Sequence, residues 1–453
     1  MKFRLLSILI TLLTLTSCDN SPEKIEPEAI LNPEDRLIQI EINTKNATIV
    51  DEPKINAQIN ISKNEIVSYD GAIGIEIRGA SSQSFPKKSY GFETRDENND
   101  DLNVSLLEFP EEEDWILYGP YSDKSLIRNM LIYDLSRDID MYASRTEFVE
   151  LSINNTNQGV YVFMEKLKRD KNRIDINKLK EDENSGEDVT GGYILKIDKI
   201  AGTNLGDGYN DLNSFTSSFD PPNATNNQKT KFLFEYPDAE DITYEQKTYI
   251  STYISDFESA LISDDFSDPI SGYKAYIEIS SFIDFFLLNE LSNNVDGYRL
   301  STYIHKDKNK KLKMGPIWDF NLAFGNADYC GGGETNVWAY KFNERCPNDT
   351  RLIPFWWKRL LEDADFVNQL KNRWNDLRGS IFSDAYILSR IEEYNTTLTK
   401  AGAINANFFK WNILGSYVWP NNFVGTTYNS EENYLKNWIT QRLSWLDSSI
   451  EGL

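Results

Sequence analysis

The chain is 453 residues long, 40% hydrophobic and 13% aromatic, with 71 acidic against 47 basic residues and a net charge of −24. It has room for up to about three domains around a large core, is too apolar for a disordered chain, and is too acidic for nucleic-acid binding or polybasic membrane docking, both of which draw on Lys and Arg. A single histidine, His305, argues against a Ser-His-Asp hydrolase or a His-rich zinc site, so the expected chemistry is that of carboxylates.

Residues 1–18 read as a signal peptide. Lys2 and Arg4 precede an apolar run from Leu5 to Leu15, too short for a bilayer, which needs about 20 residues. The run closes on Leu15-Thr16-Ser17-Cys18. This is similar to a bacterial lipobox, whose cysteine carries the lipid. The expectation is a lipoprotein of the bacterial cell envelope, periplasmic or surface-exposed; the alternative is an ordinary secretory leader with a chance cysteine. Residues 19–34 contain Pro22, Pro27 and Pro33 and read as an acidic tether reaching up to roughly 50 Å. No other apolar run approaches spanning length, so the body is expected to be anchored rather than embedded. Export also bears on Cys330 and Cys346. In an oxidising compartment they suggest a disulfide closing a loop of about 15 residues; two unrelated buried thiols are the alternative.

The body opens β-rich. Ile38-Gln39-Ile40-Glu41-Ile42, Ile55 to Ile61 and Ile73-Gly74-Ile75-Glu76-Ile77 alternate apolar with polar or small residues, the period of a half-buried strand. Residues 124–137 carry Leu126, Ile127, Met130, Leu131 and Leu135 on one helical stripe. Phe148 to Ile153 and Val160 to Met164 bracket an Asn-rich hairpin turn. Residues 180–240 are polar and read as long loops broken by short strands such as Tyr193 to Ile197. After about residue 240 the period changes to that of helices. Thr243-Tyr244-Glu245-Gln246 is a capping box opening a helix, and residues 281–291, 355–378, 386–401 and 431–448 predict four more. The expectation is an α+β chain with a β-rich half over 35–240, a helical half over 241–453, and a cleft between two lobes.

Two constellations carry possible chemistry. Asp296 and Asp319 flank a strand, a polar turn (residues 306–311) and a second strand. A hairpin brings its ends together, so the two carboxylates are expected side by side near an apolar core. They can share a divalent cation, divide base and metal-ligand duties in phosphoryl transfer, or simply cap turns. Paired carboxylates of a glycosidase are a more distant possibility. The second constellation is Arg78 to Ser84, a strand running into a small-residue loop, followed by Lys87-Lys88. Loop N–H groups, hydroxyls and lysines suit phosphate oxygens, and alternation places Lys88 with Tyr90 and Phe92 on the more apolar face. A solvated lysine pair is the alternative. Asp96, Asn98 and Asp100 imitate a calcium loop but lack its Gly and terminal Glu; they read as a solvated acidic turn. Trp356, Trp357, Trp374, Trp411 and Trp419 read as core rather than as a sugar platform.

Several runs, in order, resemble the CotH family, the spore-coat-type atypical kinases. They are Ile77-Arg78-Gly79 with Ser81-Ser82 and Phe85-Pro86-Lys87-Lys88-Ser89-Tyr90; Trp115-Ile116-Leu117; Leu126-Ile127-Arg128-Asn129; Gly159-Val160-Tyr161 with Glu165; Gly191-Gly192-Tyr193-Ile194-Leu195; and Pro316-Ile317-Trp318-Asp319-Phe320-Asn321 with Phe324-Gly325. The resemblance covers roughly residues 70–400. It implies a reduced protein-kinase-like two-lobed fold, ATP with Mg²⁺ or Mn²⁺, and transfer to Ser or Thr of a protein substrate at the envelope. By it Asp296 would be the catalytic base and Asp319 the metal ligand. Arg78, Ser81, Ser82 and Lys88 would contact phosphates, and Glu165 would be a cleft residue. Ser301 stands where kinase-like catalytic loops carry a metal-binding Asn, with Asn321 as a substitute, and Ala80 stands where the family often has Asn. These departures keep open a non-catalytic surface protein that binds glycans or a protein partner.

Overall fold

The computed structural model describes residues 32–200, 208–225 and 228–453. The leader, Cys18 and most of the tether lie outside the described residues. Seven strands close into a barrel: β1 (Ile38–Asn43), β2 (Ile55–Lys63), β3 (Ile66–Arg78), β4 (Ser89–Arg95), β5 (Asp114–Tyr118), β6 (Thr146–Ile153) and β7 (Thr156–Glu165), in the order β1-β2-β3-β4-β5-β7-β6. Every pairing is antiparallel except the last, where β1 runs parallel to β6 and closes the ring. Alternation fills the interior. Ile40, Ile42, Ala57, Ile59, Ile61, Ile73, Ile75, Phe92, Trp115, Leu117 and Phe163 all point inward and form one core. The two-residue turn between β6 and β7 is Asn154-Asn155, both left-handed at φ 49° and 61°, a conformation Asn tolerates and tight hairpins require.

The outer face of β5, β6 and β7 is also apolar. Ile116, Phe148, Val160, Val162 and Met164 belong to the larger core of the helical half. A second antiparallel sheet, ordered β12-β11-β8-β10-β9, stands beside the barrel. It contains β8 (Tyr193–Ile197), β9 (Ser214–Thr216), β10 (Lys231–Tyr236), β11 (Thr302–Lys306) and β12 (Leu312–Met314), and so draws strands from both sides of residue 240. Around it pack α1 (Arg128–Asp138), α2 (Tyr244–Ile262), α3 (Ile279–Ser292), the short α4 (Phe342–Arg345) and α5 (Trp356–Leu360), then α6 (Ala364–Arg378), α7 (Asp384–Lys400), α8 (Ala403–Lys410) and α9 (Tyr428–Glu451). α3 is buried on nearly every side, through Phe282, Phe285, Phe286, Leu287, Leu288 and Leu291, as expected of a helix that is apolar all round.

The α+β class fits, but the kinase-like two-lobed fold does not. The front half is a closed seven-stranded barrel, and helices occupy the back half. Period-2 patterning tells which face of a strand is buried, but a barrel interior and a lobe interior produce the same signal. Other differences are local. The helix expected over 355–378 is broken because Asp363 accepts from the Asp365 N–H and starts α6 anew, while α8 had no clear apolar stripe. Trp356, Trp357 and Trp374 are core residues, whereas Trp419 is 52% exposed. The Asp96 carboxylate accepts from the Asn98 and Asp100 N–H groups, forming a self-contained turn. Among the described residues no helix is long and apolar enough to cross a membrane.

Cys330 and Cys346 are disulfide-bonded, with Cα atoms 5.8 Å apart. Replacing both by Ser should cost on the order of 3 kcal/mol, the loop-closure entropy released to the unfolded chain, read as a drop in the denaturant midpoint. A second test concerns Glu258 on α2, which is fully buried and accepts from Ser217 Oγ at 2.9 Å and Trp356 Nε1 at 2.9 Å. Burial pushes its carboxyl up to about 7, against the pull of the two donors. The folded state therefore holds a proton that the unfolded chain releases near pH 4.5. Stability from this group is complete below that pH and is lost as pH rises through about 7, by an amount on the order of 3 kcal/mol. Glu258→Gln should flatten the decline in melts between pH 5 and about pH 8.

Candidate functional site

A cavity of about 1040 Å³ lies between the outer face of the barrel and the second sheet. Asp296 and Asp319 both line it. The β11–β12 hairpin brings them there: Asp296 lies within the turns between α3 and β11, and Asp319 follows β12. α3 ends at Asn293, left-handed at φ 44°, whose amide donates to the Gly331 and Glu334 carbonyls at 2.9 and 3.0 Å. That reversal aims the chain at the cavity. Asp319 is itself left-handed, φ 62°. Its N–H donates to Tyr133 Oη at 3.0 Å, and the Phe320 N–H donates to Asn129 Oδ1 at 2.8 Å. Two side chains of α1 thus hold the Asp-Phe-Asn turn by its backbone.

The electrostatics are those of crowded carboxylates. Burial pushes Asp319 up to about 6, and the nearby Asp296 and Asp198 carboxylates push in the same direction, opposed by Lys199 and Arg78. Burial also raises Asp296 above its ordinary value, while Arg299 and Lys199 pull it back. Asp296 Oδ1 accepts from the Arg299 guanidinium at 3.2 Å and from the Tyr329 hydroxyl at 3.4 Å. Arg299 is gripped in turn by the Val295 carbonyl at 2.8 Å and by Asp349 at 3.2 Å. A divalent cation would offset this excess of negative charge. Asp319 and Asn321, both at the cavity wall, supply carboxylate and amide oxygens for one.

Opposite the carboxylates stands the loop after β3. Arg78, Ser81 and Ser82 line the cavity. The Arg78 guanidinium lies 5.5 Å from the centre of the Trp318 ring, and Ser81 Oγ accepts from Lys199 Nζ at 3.0 Å. Gly79, at φ +104°, makes the turn; a Cβ there would meet Ser82 Oγ at 2.1 Å. These groups could contact phosphate oxygens.

Two expected residues are elsewhere. Lys88 does not line the cavity: its ammonium turns back onto the Gln83 carbonyl at 2.6 Å. The face it was expected to share, that of Tyr90 and Phe92, is the barrel interior, and β4 begins only at Ser89. Its neighbour Lys87 is buried, bonded to the Val160 carbonyl at 2.6 Å and Asn407 Oδ1 at 2.8 Å. Glu165 is fully buried, away from the cavity, against Arg145 at 2.6 Å and the Tyr142 hydroxyl at 3.2 Å. It falls on the β7 face that carries Tyr161 and Phe163 into the barrel.

Several site residues had no signal in the sequence strong enough to single them out. Asp198 and Lys196 are paired at 3.1 Å; Lys196 sits in the short strand expected over Tyr193 to Ile197, and Asp198 just beyond it in the stretch read as loops. Burial opposes the charge on Lys196, but the Tyr303 and Asp198 oxygens more than restore it. The available clue was Tyr193-Ile194-Leu195-Lys196-Ile197, where a lysine interrupts an otherwise apolar strand. His305 does not line the cavity; its Nδ1 lies 3.0 Å from the Gly315 carbonyl.

The family model described as CotH kinase protein matches residues 75–446, most of the chain. No curated protein matches it.

The grip of α1 on the Asp319 turn is open to direct test. Tyr133→Phe and Asn129→Ala should each lower stability by about 1–3 kcal/mol, the cost of a backbone N–H left without its acceptor. Because both hold one turn, their effects in a double-mutant cycle should be non-additive by at least about 0.5 kcal/mol.

Proposed function

We propose, because the chain belongs to the CotH kinase family, that it transfers the γ-phosphoryl group of ATP to a Ser or Thr hydroxyl of an exported protein. It would act at the bacterial cell envelope, held there by a lipid on Cys18 at the end of its tether. The observation that carries the reading is the convergence of Asp296 and Asp319 on one cavity, with Arg78, Ser81 and Lys199 facing them.

The residues divide the work. Asp296, half-buried and raised in basicity by burial, accepts the proton of the attacking hydroxyl. Arg299 holds that carboxylate in place through its 3.2 Å contact. Asp319 and Asn321 would hold Mg²⁺ or Mn²⁺, which supplies neutralisation of the phosphate oxygens during transfer. Arg78, Ser81, Ser82 and Lys199 orient the phosphates from the opposite wall. The barrel wall and the second sheet narrow access to water, which strengthens each of these interactions.

Incubating the full-length protein with labelled ATP, Mg²⁺ or Mn²⁺ and envelope proteins tests the reading. Asp319→Ala should weaken metal-dependent nucleotide binding and transfer together. Asp296→Ala should leave nucleotide binding nearly intact and slow transfer by about 10²–10⁴-fold, the usual contribution of general-base help. If neither nucleotide binding nor transfer occurs with any metal, the non-catalytic surface-binding reading motivated by Ser301 replaces this one. If both variants simply melt early, the carboxylates are structural caps.

A further inference from the structure

A second, smaller cavity of about 290 Å³ adjoins the first and shares Asp198, Arg299, Thr350 and Arg351 with it. Its lining is unlike the rest of the molecule. In a chain of net charge −24, this small space is bordered by Lys229, Lys231, Arg299 and Arg351 against a single carboxylate, Asp198. That carboxylate is already paired with Lys196. Lys229 is engaged by Asp220 at 2.6 Å, and Arg299 by Asp296 and Asp349.

The other two cations have no carboxylate partner among the described residues. Lys231 bonds Thr216 Oγ1 at 3.2 Å, and its ammonium lies 5.1 Å from the Tyr209 ring centre. Arg351 donates to Thr350 Oγ1 at 3.2 Å, and its Nε is closed off from solvent without an acceptor. Two uncompensated cations on one concave wall repel each other, and a guanidinium with a buried unmet donor adds a desolvation cost. An anion in the cavity relieves the repulsion.

We propose that this cavity binds an anionic side chain of the acceptor protein, a phosphoserine, close in sequence to the hydroxyl that is modified. The proposal rests on Asp296 being the base of transfer. Arg299 fixes the geometry: one edge of its guanidinium contacts Asp296 while the same side chain borders the second cavity. The bound anion is therefore within about one to three extended residues of the reacting hydroxyl, at ~3.3 Å each. A doubly charged phosphate with three acceptor oxygens suits two free cations better than a single carboxylate does. The protein would then favour acceptors already phosphorylated nearby, and transfer would proceed along clusters of Ser and Thr.

The test uses the full-length protein without nucleotide and three degenerate peptide libraries. Each library has a fixed serine and, two residues away, a fixed phosphoserine, aspartate or alanine. Fluorescence anisotropy should show the phosphoserine library bound at least tenfold tighter than the alanine library, with aspartate between them. Lys231→Gln and Arg351→Gln should each remove most of that preference, Lys231→Arg should keep it, and Lys231→Gln should leave ATP affinity unchanged. Equal affinity for the three libraries, or a preference that survives both Gln variants, overturns the proposal. A phosphoserine preference without any phosphoryl transfer upholds the subsite and removes the kinase reading. Transfer to envelope proteins without a preference does the reverse.

Discussion

Glu290 and Arg442 meet at 3.2 Å with neither side chain exposed at all. Two charges withdrawn from water cost several kcal/mol each unless every remaining donor and acceptor is used, and here the surroundings comply. Glu290 accepts from the Ala339 and Tyr340 N–H groups, both at 2.8 Å, and from the Tyr298 hydroxyl at 3.1 Å. Arg442 also donates to the Glu290 and Thr335 carbonyls at 2.8 and 3.0 Å. Burial brings the Arg442 guanidinium down to about 10, still charged at neutral pH. The pair ties the last turn of α3 to α9 and to the segment inside the disulfide loop. The orientation of Asn293, the turn to Asp296 and the position of Tyr329 all follow from where α3 stops.

The opposite carboxylate is held by another principle. Asp319 adopts a backbone conformation that L-residues avoid at a cost of about 1–2 kcal/mol, and it persists because α1 grips the turn on two successive N–H groups. A side chain fixed through its backbone keeps its own oxygens free for a ligand. The cavity therefore combines a carboxylate steadied by side-chain contacts, Asp296, with one steadied only through its main chain, Asp319. That asymmetry suits the duties proposed for them, a base that stays put and a ligand that reaches for a cation.

How much of this was legible in the amino acids depended on range. The inward residues of β1, β2 and β3, the capping box at Thr243 and the pairing of Cys330 with Cys346 could be read because alternation, capping chemistry and cysteine arithmetic are local or nearly so. The meeting of Asp296 and Asp319 could be read because a hairpin guarantees it. The closure of the barrel could not: Ile40 says it is buried, not that Leu151 lies beside it. The lysine pair misled for the same reason, since the apolar face attributed to Lys88 belongs to the barrel interior. Asp198 escaped notice because β8 pairs with β11 on the far side of the α2 and α3 sequences, and polar composition around a short central strand masks it.

The parallel pairing of β1 with β6 also governs the order in which the molecule can form. Gln39 and Glu150 bond across that seam from 111 positions apart, so the ring cannot be sealed until a long stretch of chain has emerged and collapsed. Until then β1 presents one uncovered edge, the kind of surface that recruits other strands. The seam is therefore the place where a partly folded chain has the greatest opportunity to be diverted into aggregates, and where escort by a holding chaperone would matter most.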